Sequence, residues 1–299
     1  MKGSASLSDI MAKREPDSSE DRHKEEVAVL LALFHDFVLS VAGHENEWET
    51  LEDLMAARAD IAIQRAFDGF GISYDDAIEL IRNADSLDNE QLAQRNIVLA
   101  AVDNLVDFSV VEEYQMADDM AELEQTLSEE EAEEMDDEDW LNFYMPVFSK
   151  FNDRYMRTEN QDTEYAMIVA AYLSALKNET VLMYMTMGDE RVRPWHLQYE
   201  GFTAPKSGFP AWLIPPIEHQ CRCFLVEDTA SGIESVMASA SVPEMPDWFN
   251  RTFKESVALG GRIFSDEHPY FQVDERHVGR LNAIAQRIKD KYLKDGESK

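Results

Sequence analysis

Apolar residues recur at helical spacing over most of the first 175 positions. EEVAVLLALFHDFVLSVAG, residues 25–43, is apolar after a charged start and ends on a glycine, which predicts a helix stopped at Gly43. EWETLEDLMAARADIAIQRAFDGFG, residues 47–71, predicts a second helix closing on glycines. SYDDAIELIRNAD opens on Ser73 with Asp76 near the third helical position, a start resembling a capping box. NEQLAQRNIVLAAVDNLVDFSVVEEYQM, residues 89–116, continues the series, and EYAMIVAAYLSALKNE, residues 164–179, reads as a further apolar helix. The pattern changes at Thr180. TVLMYMTMGD is short, β-branched and aromatic and ends on a turn pair, so it predicts a strand, and CRCFLVED predicts another. Helical character returns in PDWFNRTFKESVALGG, residues 246–261, and in DERHVGRLNAIAQRIKDKYLK, residues 274–294.

This order predicts a mostly helical α+β protein. A polar, disordered tail (1–22) leads into a helical acidic region (23–160). A small loop-rich minidomain (161–230) and a C-terminal helical extension (231–299) complete the 299 residues. No run approaches the roughly 20 apolar residues of a membrane helix, so no membrane partner is expected. The first residues lack the apolar region of a secretory signal, which points to synthesis in the cytoplasm.

Charge narrows the partners. Sixty acidic against 27 basic residues give a formal net charge of −33. Phosphates repel such a chain, so direct nucleic-acid binding is not expected, whereas solubility or contact with a basic partner is. No lysine or arginine stands between Arg95 and Lys150, and SEEEAEEMDDEDW within that span carries nine carboxylates in thirteen residues. Such a block repels itself and is expected to be solvated or disordered. It lacks the D-x-D-x-D-G pattern of a calcium loop.

The rare residues are concentrated between Arg193 and Phe224. Both cysteines, two of five tryptophans, two of seven histidines and five of ten prolines lie there. His196, His219, Cys221 and Cys223 form an H-(22)-H-x-C-x-C series whose two-nitrogen, two-sulfur set suits structural zinc. A flat strand would hold the C-x-C sulfurs too far apart, so a turn or bulge at Arg222 would be required, and metal-free packing of a thiol pair is the alternative. Asp189 could cap a helical turn and pair with Arg193, as could Glu190. Asp189, His196 and Cys221 would be the acid–base set of an enzyme, but no nucleophile elbow, HExxH, P-loop or GxGxxG accompanies them. Pro215-Pro216 biases Ile214 towards an extended conformation, and Trp195, Phe202, Phe209 and Trp212 can cover a segment without regular hydrogen bonds.

TMGDERVRPWHLQYEGFTA followed by PPIEHQCRCFLVED resembles the Mu F-like minor head proteins, or head morphogenesis proteins, of tailed bacteriophages. Thr186, Asp189, Arg191, Arg193, His196 and Gly201 fit the first half of that family's pattern. Pro215, Pro216, Cys221, Arg222 and Cys223 fit the second. The resemblance covers residues 164–228, and GGRIFSDEHPYF near the C-terminus looks like the tails of some members. It implies that residues 161–230 are a Mu F-like domain and that the chain is a non-enzymatic virion protein of low copy number. Such a protein sits at the portal vertex or in the head interior, has portal and capsid proteins as partners, and acts in head morphogenesis, DNA packaging or ejection. Two other readings stay open: an acidic binding module or DNA mimic acting on a host protein, and a phage-delivered cysteine- or zinc-dependent enzyme.

Overall fold

The computed structural model describes residues 16–43, 45–228 and 242–294. It is mostly helical, with one small antiparallel sheet and a C-terminal helix, as the sequence pattern predicts. The chain divides into two compact units, each assembled from two separate segments: Met1–Ile61 with Glu112–Arg157, and Ala62–Val111 with Thr158–Lys299.

The first unit holds α1 (Pro16–Gly43), the first part of α2 (Glu47–Phe70) and the last part of α4 (Asn89–Glu124). It also holds α5 (Glu129–Glu134), α6 (Asp137–Ser149) and a π-helical turn over Lys150–Tyr155. Of the expected tail, residues 16–22 form the first turns of α1, and residues 1–15 lie outside the described residues. Leu30, Phe34, Phe37 and Val38 are the buried face of α1, and Phe34 meets Phe148 of α6 with ring centroids 4.7 Å apart. Contrary to the sequence expectation, Glu20–Gly43 is long and apolar enough to cross a membrane by length and composition alone. The wholly buried pair of Arg58 Nε and Glu112 Oε2, 3.0 Å apart, lies in the same unit.

The acidic block is helical. Ser128 caps α5 and Asp136 caps α6, each in a complete capping box. The carboxylates of Glu129, Glu130 and Glu131, and of Asp137, Glu138 and Asp139, fall in first turns, where the helix dipole favours negative charge.

The second unit contains the remainder of α2 and α4, α3 (Tyr74–Arg82), nearly all of α7 (Met156–Ser174), the sheet and α8 (Glu275–Leu293). Ser73 caps α3 by accepting from the Asp76 N–H, as its spacing predicts. β1 (Val181–Met185) is central in the sheet, antiparallel to β2 (Thr203–Pro205) and to β3 (Phe224–Glu227). Leu182 pairs with Ala204 on one side and with Glu227 on the other. Gly69 lets α2 approach the backbone of α7 so closely that a methyl group there would overlap the Glu164 carbonyl. Residues 246–261, expected to be helical, form only short 3-10 turns at Arg251–Phe253 and Val257–Leu259. Phe264, from the segment that follows, stacks on Phe108 of α4 with ring centroids 4.3 Å apart.

Candidate functional site

The site is built where β1 runs into the loop after residue 185 and where the chain returns just ahead of β3. Thr186 is buried and its hydroxyl donates to Glu200. The next residues form a turn rather than a helix: Asp189 accepts from the Arg191 N–H at 3.1 Å. Asp189 then reaches across to Arg222, Oδ1 to Nη2 2.7 Å, and that guanidinium holds its carboxyl below the usual carboxylate range. The expected Asp189–Arg193 or Glu190–Arg193 pair is therefore not formed. Arg193 instead pairs with Glu218 and donates from Nη2 to the His219 carbonyl at 2.9 Å.

Gly201 takes a left-handed φ of 80°, open to glycine at no steric expense, and its N–H donates to the Tyr184 carbonyl at 2.8 Å. This contact brings the loop back onto β1. Pro215-Pro216 is a cis peptide, and Ile214 before it is extended, as expected. The aromatic covering also forms: Phe202 meets Phe209 at 5.4 Å between centroids, and Trp212 meets Tyr199 at 5.2 Å.

Neither cysteine is on a strand, because β3 begins at Phe224. The turn through Gln220, whose φ is 58°, leads both thiols inward, and each is buried and reduced. His196 Nδ1 faces them, 3.1 Å from Cys223 Sγ and 4.0 Å from Cys221 Sγ. On the other side of the ring, Nε2 lies 3.3 Å from Glu218 Oε2. His196, Cys221 and Cys223 offer ligand atoms within 4.8 Å of one another, the only such group of three among the described residues.

His219 does not join them. Its Nδ1 meets Asp162 Oδ2 at 2.9 Å, and its ring packs edge-on against Phe253. The four-residue ligand set expected from sequence is thus reduced to three. Asp162, buried on α7, also accepts from the Gln220 N–H at 2.7 Å and so fixes the turn ahead of the cysteines. Tyr165, one helical turn on, donates to the Cys223 carbonyl at 2.5 Å.

Burial alone would lower the His196 pKa, but hydrogen bonding to Cys221 and to Glu218 outweighs it and the net shift is upward. Burial pushes the Cys221 thiol well up. Cys223 goes the other way, drawn down by the Cys221 hydrogen bond against its burial, with help from Tyr184, Arg193 and Arg222. Of the two sulfurs, Cys223 is therefore the better thiolate. A cleft of about 10 Å³, lined in part by Arg193, His196, Arg222 and Cys223, reaches the cluster. That is about the space of one water molecule.

Sequence reasoning missed Glu218, Tyr184, Asp162 and Tyr165. Glu218 was legible as the only acid between Pro216 and Cys223, and Asp162 and Tyr165 as an i, i+3 pair on a helix. No family model, no curated protein and no solved structure matches the chain.

Proposed function

We propose that the chain is a minor head protein of a tailed bacteriophage, acting without catalysis in head morphogenesis at the portal vertex or in the head interior. The observation that carries this reading is the interlocking of the two motif halves. Asp189 holds Arg222, Arg193 holds Glu218 and the His219 carbonyl, and His196 lies against Cys223. Residues that match the family pattern in separate stretches thus form one fastening around the β1–β3 pair, which is what a pattern recording a fold would do. The same contacts argue against a nucleophilic cysteine. Both thiols are buried, and a cleft of about 10 Å³ leaves no room for an organic substrate.

The acidic surface has a place in this reading. Residues 129–139 present nine carboxylates, which fits docking on basic portal or capsid surfaces and repels packaged DNA. The test is quantitative mass spectrometry of purified particles before and after DNA release. A small fraction of the major capsid protein's abundance is expected, and loss with the DNA would assign the protein to ejection. Absence from particles together with abundance in infected cells would overturn the reading in favour of an acidic module acting on a host protein.

A further inference from the structure

We infer that His196, Cys221 and Cys223 form a three-ligand site for zinc, with the fourth position left to a water. The inference stands on the geometry of the cluster and does not depend on the virion reading. A tetrahedral zinc ion with Zn–S of about 2.3 Å and Zn–N of about 2.0 Å sets nitrogen and sulfur roughly 3.5 Å apart. The observed separations of 3.1 and 4.0 Å from His196 Nδ1 straddle that value, and the two sulfurs, within 4.8 Å of each other, would close to about 3.8 Å by a movement of up to about 1 Å.

Three further observations favour a metal over a thiol pair packed against an imidazole. First, the histidine is oriented as a ligand. Glu218, itself held by Arg193, faces Nε2 at 3.3 Å. A proton on Nε2 donates to that carboxylate and leaves the Nδ1 lone pair directed at the sulfurs. A carboxylate on the far nitrogen is the usual outer support of a metal-bound imidazole. A lone pair can accept from one thiol, whereas here it faces two.

Second, the Tyr184 hydroxyl is wholly buried and, among the described residues, has only the Cys223 sulfur to donate to. Thiols are weak acceptors, but metal-bound thiolates are strong ones, and one of them would satisfy this donor. Third, the cleft that reaches His196 and Cys223 has room for about one water, which supplies a fourth ligand. The proton balance is simple. Binding one Zn²⁺ releases the two thiol protons to solvent, and two thiolates with a neutral imidazole leave the coordinated centre uncharged.

The experiment is elemental analysis of the full chain, purified under reducing conditions without chelator from zinc-supplemented cells. About one zinc per chain is expected. The variants His196→Asn, Cys221→Ser and Cys223→Ser should each lose it, while His219→Asn should retain it. Glu218→Gln should weaken zinc by about tenfold or more in chelator competition, since it removes only the support of the ligand. If the serine variants do not fold, cobalt substitution of the wild-type chain decides, through a thiolate-to-cobalt charge-transfer band. A wild-type chain without stoichiometric zinc that gives no such band would overturn the site. So would equal loss of zinc from His219→Asn, or a Cys221–Cys223 disulfide in the isolated protein.

Discussion

His219 and His268 lie with ring centroids 6.4 Å apart, yet their surroundings drive them in opposite directions. Burial would lower His219, but its bond to Asp162 prevails and raises it. Among the described residues His268 has no carboxylate partner of that kind. Burial, and then the charge of His219, bring it from the ordinary 6.5 down to about 4. Its ring serves as an acceptor, with Nδ1 taking the Tyr270 N–H at 3.2 Å. The sign follows from proton uptake: between pH 6.5 and 4 the unfolded chain binds a proton that folded His268 refuses. Its contribution to stability is full above 6.5 and is lost as the pH falls towards 4. His268→Asn keeps an acceptor and cannot titrate. The wild type's advantage over this variant should therefore shrink by about 2 kcal/mol between pH 7 and pH 5. Urea unfolding of both proteins at the two pH values measures it, and a constant difference would contradict the assignment. Comparing two chains cancels the titration of the many carboxylates.

At the scale of elements, helices were legible where an apolar period met a start or stop signal, as at Ser73 and Gly43. The carboxylates of the acidic block are solvated, as their charge density predicts, but charge density says nothing of the helices that carry them. Ser128 and Glu131, and Asp136 and Asp139, stand at capping-box spacing and start two helices despite the repulsion. Residues 246–261 carry helix-compatible residues, but tertiary contacts decide their path. The gathering of His196, Cys221 and Cys223 was legible in their spacing. Its geometry was not, because the turn through Gln220 is held by Asp162, a residue 58 positions earlier. Asn104 of α4 shows such long-range fixing most plainly. Its Oδ1 accepts from the Ile263 and Phe264 N–H groups at 2.9 and 3.0 Å, and its Nδ2 donates to the Phe264 carbonyl at 2.8 Å. Asn104→Ala strands two backbone donors and a carbonyl in the interior and should cost about 2–4 kcal/mol. Asn104→Leu keeps the volume but none of the three bonds, so it should cost as much as alanine. A much smaller loss for Asn104→Leu in chemical denaturation would mean that the side chain fills space and does not hold the segment.

For the molecule as a whole, a formal charge of −33 governs the electrostatics, and the carboxylates are unevenly spread. No basic residue lies between Arg95 and Lys150, so the cluster at 129–139 has no cation near it in sequence. Favourable first-turn positions offset part of the repulsion, but those residues still repel one another across water. Such repulsion is screened once the Debye length falls to about 10 Å, near 0.1 M salt. The folded chain holds these charges closer together than the unfolded chain does, so salt should stabilise it. The melting temperature should rise between about 0.01 and 0.3 M sodium chloride, and most steeply at the low end. A variant with Glu130, Glu133, Glu134 and Asp137 changed to glutamine or asparagine should melt higher at low salt and respond less to added salt. The same carboxylates would supply attraction to a basic head or portal surface, so the variant should also bind that partner more weakly and with a flatter salt dependence. A variant that melts higher yet binds unchanged would separate the two roles: it would leave the acidic helices as a solubility device and move the docking surface elsewhere on the chain.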